Sequence, residues 1–188
     1  MSPPDYDGLW SETRKVWRSA KMPRHMANKH PIVVKWLADD ARGFDPVFNP
    51  LYFRYRSRFR NPTMQRRLRL FNALLLALKE EKFVLKLALN RDHTCIVVGT
   101  EFGRTQFAIS AEEVPTARPA SRKKLTGRLR CHIDAKLPRD IEDRWADETG
   151  TPLEARLPNI VASFAVWAEQ ERYRIAALNG PAARSGGA

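Results

Sequence analysis

Arginine occupies positions 54, 56, 58 and 60 of LYFRYRSRFR, residues 51–60, with Phe53, Tyr55 and Phe59 in the gaps between them. A guanidinium pairs bidentately with phosphate, and same-face residues of a strand repeat every roughly 6.5 to 7 Å, close to the step between phosphates along a nucleic-acid strand. The period of two predicts a strand with Arg54, Arg56, Arg58 and Arg60 on one face and the aromatics on the other. Arg66, Arg67 and Arg69 follow at the start of a predicted helix, where Arg66 and Arg67 are disfavoured by a few tenths of a kcal/mol, so local stability does not account for them. Residues 51–70 hold seven arginines and no acid. The competing reading of the alternation is a solvated edge strand whose charges discourage aggregation.

A second basic patch, Lys123, Lys124, Arg128 and Arg130, runs into GRLRCHIDA. There Leu129, Cys131 and Ile133 alternate with Arg128, Arg130 and His132, which predicts another strand with a partly basic face.

Other chemistries lack their constellations. His93, Cys95, Cys131 and His132 are zinc-type ligands, but Cys131 and His132 are neighbours on a predicted strand and point to opposite faces. Asp92, Glu101, Glu112 and Glu113 could supply the acids of a metal-dependent nuclease, yet no lysine stands two residues beyond any of them on a strand to orient water. The chain has no phosphate-cradling glycine loop, no dinucleotide-binding glycine motif, no His-Glu-x-x-His and no Gly-x-Ser-x-Gly elbow. No catalytic residue, metal or cofactor is assigned.

The wider composition agrees with a polyanionic partner. The formal charge is +12 over 188 residues, and residues 1–82 carry 17 basic and 8 acidic side chains against 16 and 13 in the rest. Two cysteines are too few for a disulfide scaffold and fit a reducing cytoplasm. The opening MSPPDYDGLW lacks the basic-then-apolar pattern of a signal peptide, and no apolar run reaches the length of a membrane span. A cytoplasmic protein without a membrane association is expected.

Around the arginines the elements read as follows. Residues 9–20 suit a short helix, residues 21–30 a linker, and PIVVKWLADDAR from Pro31 a second helix. Asn61 and Pro62 cap a helix over 63–82, where Met64, Leu68, Phe71, Leu74, Leu75 and Leu78 recur at helical spacing. FVLKLAL, HTCIVVG and RTQFAIS form an antiparallel meander, PTARPASRKK a basic loop, and 138–151 an acidic loop. A last helix begins near Pro158, since an interior proline costs about 3 kcal/mol.

This order, with the words HPIVVKWL, RRLRLFNALLLALKEEKF, FAIS and LEARLPNIVASF, resembles a family of uncharacterised bacterial proteins over residues 30–178. Longer members carry an N-terminal segment similar to a helix-turn-helix, opening with a motif like YDGLWSE at 6–12. Too few residues separate that motif from His30 for the whole segment, so the resemblance implies a truncated one. It implies a nucleic-acid context and no transferable activity.

The expected architecture is α+β: a small antiparallel sheet packed against a central amphipathic helix and a C-terminal helix. A basic N-terminal segment covers 1–30, a single domain 31–178 and a disordered tail 179–188. The expected function is a non-catalytic accessory or regulatory protein that binds DNA or RNA through backbone phosphates. A module docking an acidic protein partner or its own copies is the alternative, and a degenerate nuclease the third.

Overall fold

The computed structural model describes residues 4–18, 26–41, 58–89, 94–115 and 123–179. Four α-helices, α1 (Tyr6–Trp17), α2 (Pro31–Ala41), α3 (Pro62–Glu80) and α4 (Leu157–Leu178), accompany strands β1 (Val84–Leu89), β2 (Thr94–Gly99), β3 (Arg104–Pro115), β4 (Lys123–Ile133) and β5 (Arg144–Ala146). The strands form one antiparallel sheet in the order β1-β2-β3-β4-β5. This is the expected α+β arrangement, a meander packed against helices.

The capping chemistry of α3 explains its limits. Asn61 is extended and its side chain accepts from the Thr63 amide, and Pro62 occupies the first turn, where its missing donor costs nothing. At the other end Lys82 takes a positive φ of 65°, while the Phe83 amide bonds to Leu78 O and the Lys82 amide to Lys79 O. That pair of bonds closes the last turn as a Schellman motif.

Between these caps α3 buries more than a stripe. Leu68, Leu70, Phe71, Leu74, Leu75, Ala77 and Leu78 are all buried, because α2, α4 and the sheet surround the helix. An aromatic relay marks the common core: Trp36 of α2 meets Phe71 at 5.2 Å, Phe71 meets Phe107 of β3 at 5.7 Å, and Phe107 meets Phe164 of α4 at 5.6 Å. The Trp36–Phe71 and Phe107–Phe164 pairs are edge-on and the Phe71–Phe107 pair is tilted; aromatic pairs of this kind add about 0.5–1.5 kcal/mol each beyond area burial.

The C-terminal helix starts where the proline requires. Leu153–Arg156 form a 3-10 turn, and Pro158 falls at the first positions of α4, which need no amide donor. Helix α1 lies along α4, and its Trp17 indole N–H donates to Glu81 at 2.8 Å beside the end of α3. The N-terminal segment thus contributes a packed helix.

Three sequence readings change. Residues 51–57 lie outside the described residues, and Arg58–Arg60 form a 3-10 turn instead of the end of a strand. That turn leads straight into the Asn61 cap, and its half-buried Phe59 packs against the core, so the local geometry is set by entry into α3. Lys123 and Lys124 belong to β4, paired with Pro115 and Val114, and not to a loop. Within the acidic stretch 138–151, Arg144–Ala146 pair with β4 as a fifth strand, held by the buried Trp145.

Candidate phosphate-binding surface

One face of the sheet is predominantly apolar, and the other mixes small apolar residues with cations. Leu87, Ile96, Phe107 and Ile133 are cross-strand partners toward the helices, and their neighbours Ala88, Cys95, Ala108, His132 and Arg144 line up on the opposite face. Two strand residues along, Ser110, Arg130 and Ala146 form a second outward row. Lys86, Arg104 and Arg128 extend this face, with Arg104 paired opposite Gly99.

Lys86, Arg104, Arg128, Arg130, His132 and Arg144 are exposed. Lys86, Arg104 and Arg128 make no ion pair among the described residues. Against these cations the outward strand positions set Glu112, whose carboxyl is held below its usual range by the Thr126 hydroxyl first and by Arg130 second. Asp134, just past β4, accepts from the Gln106 amide at 3.0 Å.

The predicted site residues disperse. Arg54 and Arg56 lie outside the described residues, and of Arg58 the backbone alone is described. Arg60 is exposed immediately before the α3 cap, and Arg69 is half-buried beside Lys29, Leu37 and Phe59. Lys124 is exposed on β4, the Lys123 side chain is outside the described set, and Arg128 and Arg130 share the outward face.

Arg66 and Arg67 turn inward. Arg66 donates Nη1 and Nη2 to Asp147 at 2.6 and 2.7 Å, Nε to Glu154 at 2.6 Å, and Nη1 also to Gly127 O at 3.2 Å. Its guanidinium is held protonated far beyond ordinary conditions by Glu154 and then Asp147. Arg67 donates Nε to Ile109 O at 2.5 Å and lies 5.4 Å over the Phe71 ring. These two arginines join α3 to the sheet.

Lys86, Arg104, Arg144 and Arg156 come to or beside the outward face without belonging to the basic runs at 54–69 and 123–130. Arg144 sits in a strand too short to show periodicity, and Arg156 in a 3-10 turn. Lys86 and Arg104 are legible as the polar partners of an alternating pattern, VLKLAL and RTQFAIS.

Of the zinc-type ligands His93, Cys95, Cys131 and His132, the first lies outside the described residues. Cys131 is buried toward the core and its thiol is pushed up by that burial, His132 points the other way, and no group of three potential ligands occurs among the described residues. No described helix is long and apolar enough to cross a membrane. Comparison with family models, curated proteins and solved structures finds no match to the chain.

Proposed function

We propose that this protein is a non-catalytic nucleic-acid-binding protein, accessory or regulatory in role, that contacts backbone phosphates through the outward face of its sheet. One observation carries the reading: Lys86 of β1, Arg104 of β3, Arg128 and Arg130 of β4 and Arg144 of β5 project on one face of the sheet, with Glu112 as their counterweight among the outward strand positions. Arg144, Arg130 and Arg128 occupy successive rows, and with strands about 4.8 Å apart and residues repeating every roughly 6.5–7 Å their spacing is on the scale of successive phosphates, while Lys86 and Arg104 stand at the other end of the face beyond the row of Ala88, Cys95 and Ala108. No Phe, Tyr or Trp stands at the described outward positions, so the reading rests on phosphate contacts. Phosphate contacts position a duplex or a single strand without reading its sequence, which makes binding sequence-tolerant and strongly salt-dependent.

The test is fluorescence anisotropy of a labelled oligonucleotide at several salt concentrations. Replacing Lys86, Arg104 and Arg128 together by glutamine should flatten the slope of log affinity against log salt by about two units, roughly 0.7–0.9 for each phosphate no longer neutralised. The companion variant with glutamine at Arg54, Arg56 and Arg58 measures the share of the alternating segment. Unchanged affinity and slope in both variants would end the nucleic-acid reading.

A further inference from the structure

A cleft of about 590 Å³ opens at the β4–β5 end of the outward face. Its shape follows from the sequence. Ser110 and Ala146 flank Arg130 across the strands, so a long side chain stands between two short ones and leaves a depression. Arg144 and His132 form the neighbouring row, and Arg156 closes the far wall from the 3-10 turn before α4.

The donors around this cleft are held and still available. Arg130 bonds Glu112 through Nη2, and Arg156 bonds Glu148 through Nη2 at 3.0 Å. In each case one of a guanidinium's five N–H donors is used and the fork is oriented. Arg144 is 84% exposed and its nearest acid, Asp143, stands at 3.9 Å. A phosphate entering the cleft meets three guanidinium groups, an imidazole and the Ser110 hydroxyl.

Two carboxylates also line the cleft, and they narrow the ligand class. Glu142 accepts the Trp145 indole N–H at 2.7 Å through Oε2, which fixes its carboxylate and leaves Oε1 as an acceptor, and Glu148 stands on the same rim. Carboxylates weaken the site for a bare anion. They suit a ligand that couples an anionic group to hydrogen-bond donors. The volume lies within the roughly 300–1,000 Å³ typical of small-molecule sites.

We infer that this cleft binds a nucleoside monophosphate, the phosphate on Arg130, Arg144 and Arg156 and the amino-bearing base edge toward Glu142 and Glu148. The same chemistry is offered by a free nucleotide and by a nucleotide unit of a nucleic acid. The inference does not require the polymer-binding role of the sheet face, although Arg130 and Arg144 serve both.

Isothermal titration of the full chain with adenosine monophosphate tests it, with inorganic phosphate and a labelled oligonucleotide as separate arms. The nucleotide is expected to bind at least about tenfold more tightly than phosphate. Arg144→Gln with Arg156→Gln should weaken it by about tenfold or more, and Arg144→Gln alone, at an exposed position that leaves the fold intact, by a smaller factor. Glutamine at Lys86 and Arg104 should leave it unchanged. Absence of nucleotide binding near about 1 mM, phosphate binding as tightly as the nucleotide, or equal losses in both variant sets would overturn the site. Oligonucleotide binding without mononucleotide binding would overturn the cleft and leave the phosphate-tracking face standing. Mononucleotide binding without oligonucleotide binding would support the cleft and end the polymer reading.

Discussion

Arg66 and Asp147, 81 residues apart in the chain, meet as a planar bidentate pair, Nη1 to Oδ2 at 2.6 Å and Nη2 to Oδ1 at 2.7 Å. Asp147 spends its remaining acceptor capacity on the Leu129 and Leu153 amides, both at 2.7 Å. Through this one carboxylate the start of α3, strand β4 and the 3-10 turn before α4 are held together.

Replacing Arg66 by methionine leaves Asp147 and Glu154 facing each other without their shared counterion. The pair is partly shielded, between an exposed bridge worth about 0–1 kcal/mol and a buried one whose disruption costs about 3–5, so the expected loss is about 2–3 kcal/mol. Lysine should recover less than half, because an ammonium cannot reproduce a guanidinium fork shared by two carboxylates. Urea unfolding of both variants measures this. A lysine variant as stable as the parent would show that charge alone suffices.

Acid should expose the same pair. Burial by itself would raise the Asp147 carboxyl, but the Arg66 hydrogen bonds and the two amides outweigh it and hold the group below its ordinary 3.8. A carboxyl depressed in the folded state stabilises above its unfolded value and loses that contribution as pH falls through the folded one. Stability should therefore fall below about pH 4. Asp147→Asn should be less stable at neutral pH and show a flatter acid limb. An unchanged limb would assign the acid sensitivity to other carboxylates.

His30 predicts a second pH dependence at milder acidity. Its Nδ1 accepts from the Ile32 amide at 3.3 Å at the start of α2, which requires a neutral imidazole on that nitrogen. Burial, and secondarily the charge of Lys79, lower its pKa below the usual 6.5. The neutral form is the one the fold favours, so this stability is present above 6.5 and is lost as pH falls from there through the folded value. His30→Asn keeps a capping acceptor and removes the titration. Denaturation midpoints at about pH 7.5 and 5.5 should differ less in the variant than in the parent. An equal difference in both would clear His30 of the effect.

Much of this architecture is written locally. The stripe of Leu68, Phe71, Leu74, Leu75 and Leu78 gives α3, and the short β-rich runs between turn residues give β1, β2 and β3. Pro158 marks the start of α4 for a backbone reason that needs no tertiary information. Strand β5 is different, since three residues cannot show a period and Arg144–Ala146 are fixed by the β4 backbone and by burial of Trp145.

The candidate site is legible in kind and not in place. Arg66 and Arg67 read as outward-facing because their acceptors lie far along the chain, Asp147 and Glu154 for Arg66 at 81 and 88 residues and the Ile109 carbonyl for Arg67 at 42. Alternation at 51–60 reports two residue classes, but it cannot report a partner strand, and at Arg58–Arg60 the approach to the Asn61 cap decides the backbone. Arg128 and Arg130 are legible because their alternation with Leu129 and Cys131 continues through a paired strand.

Lys82 offers a gain in stability. It occupies the left-handed position after α3 with φ 65°, where a side chain crowds its own backbone and glycine does not. The two bonds that close the motif, Phe83 N to Leu78 O and Lys82 N to Lys79 O, use main-chain atoms and survive any substitution compatible with that φ. Relief of the backbone strain exceeds the extra unfolded-state entropy of glycine, so Lys82→Gly should stabilise the domain by about 0.5–1 kcal/mol. Lys82→Val should destabilise it, because a β-branched side chain is worst suited to positive φ. Thermal or urea unfolding of the two variants gives opposite signs on this account. A destabilised glycine variant would mean that the Lys82 side chain contributes more than its backbone strain costs.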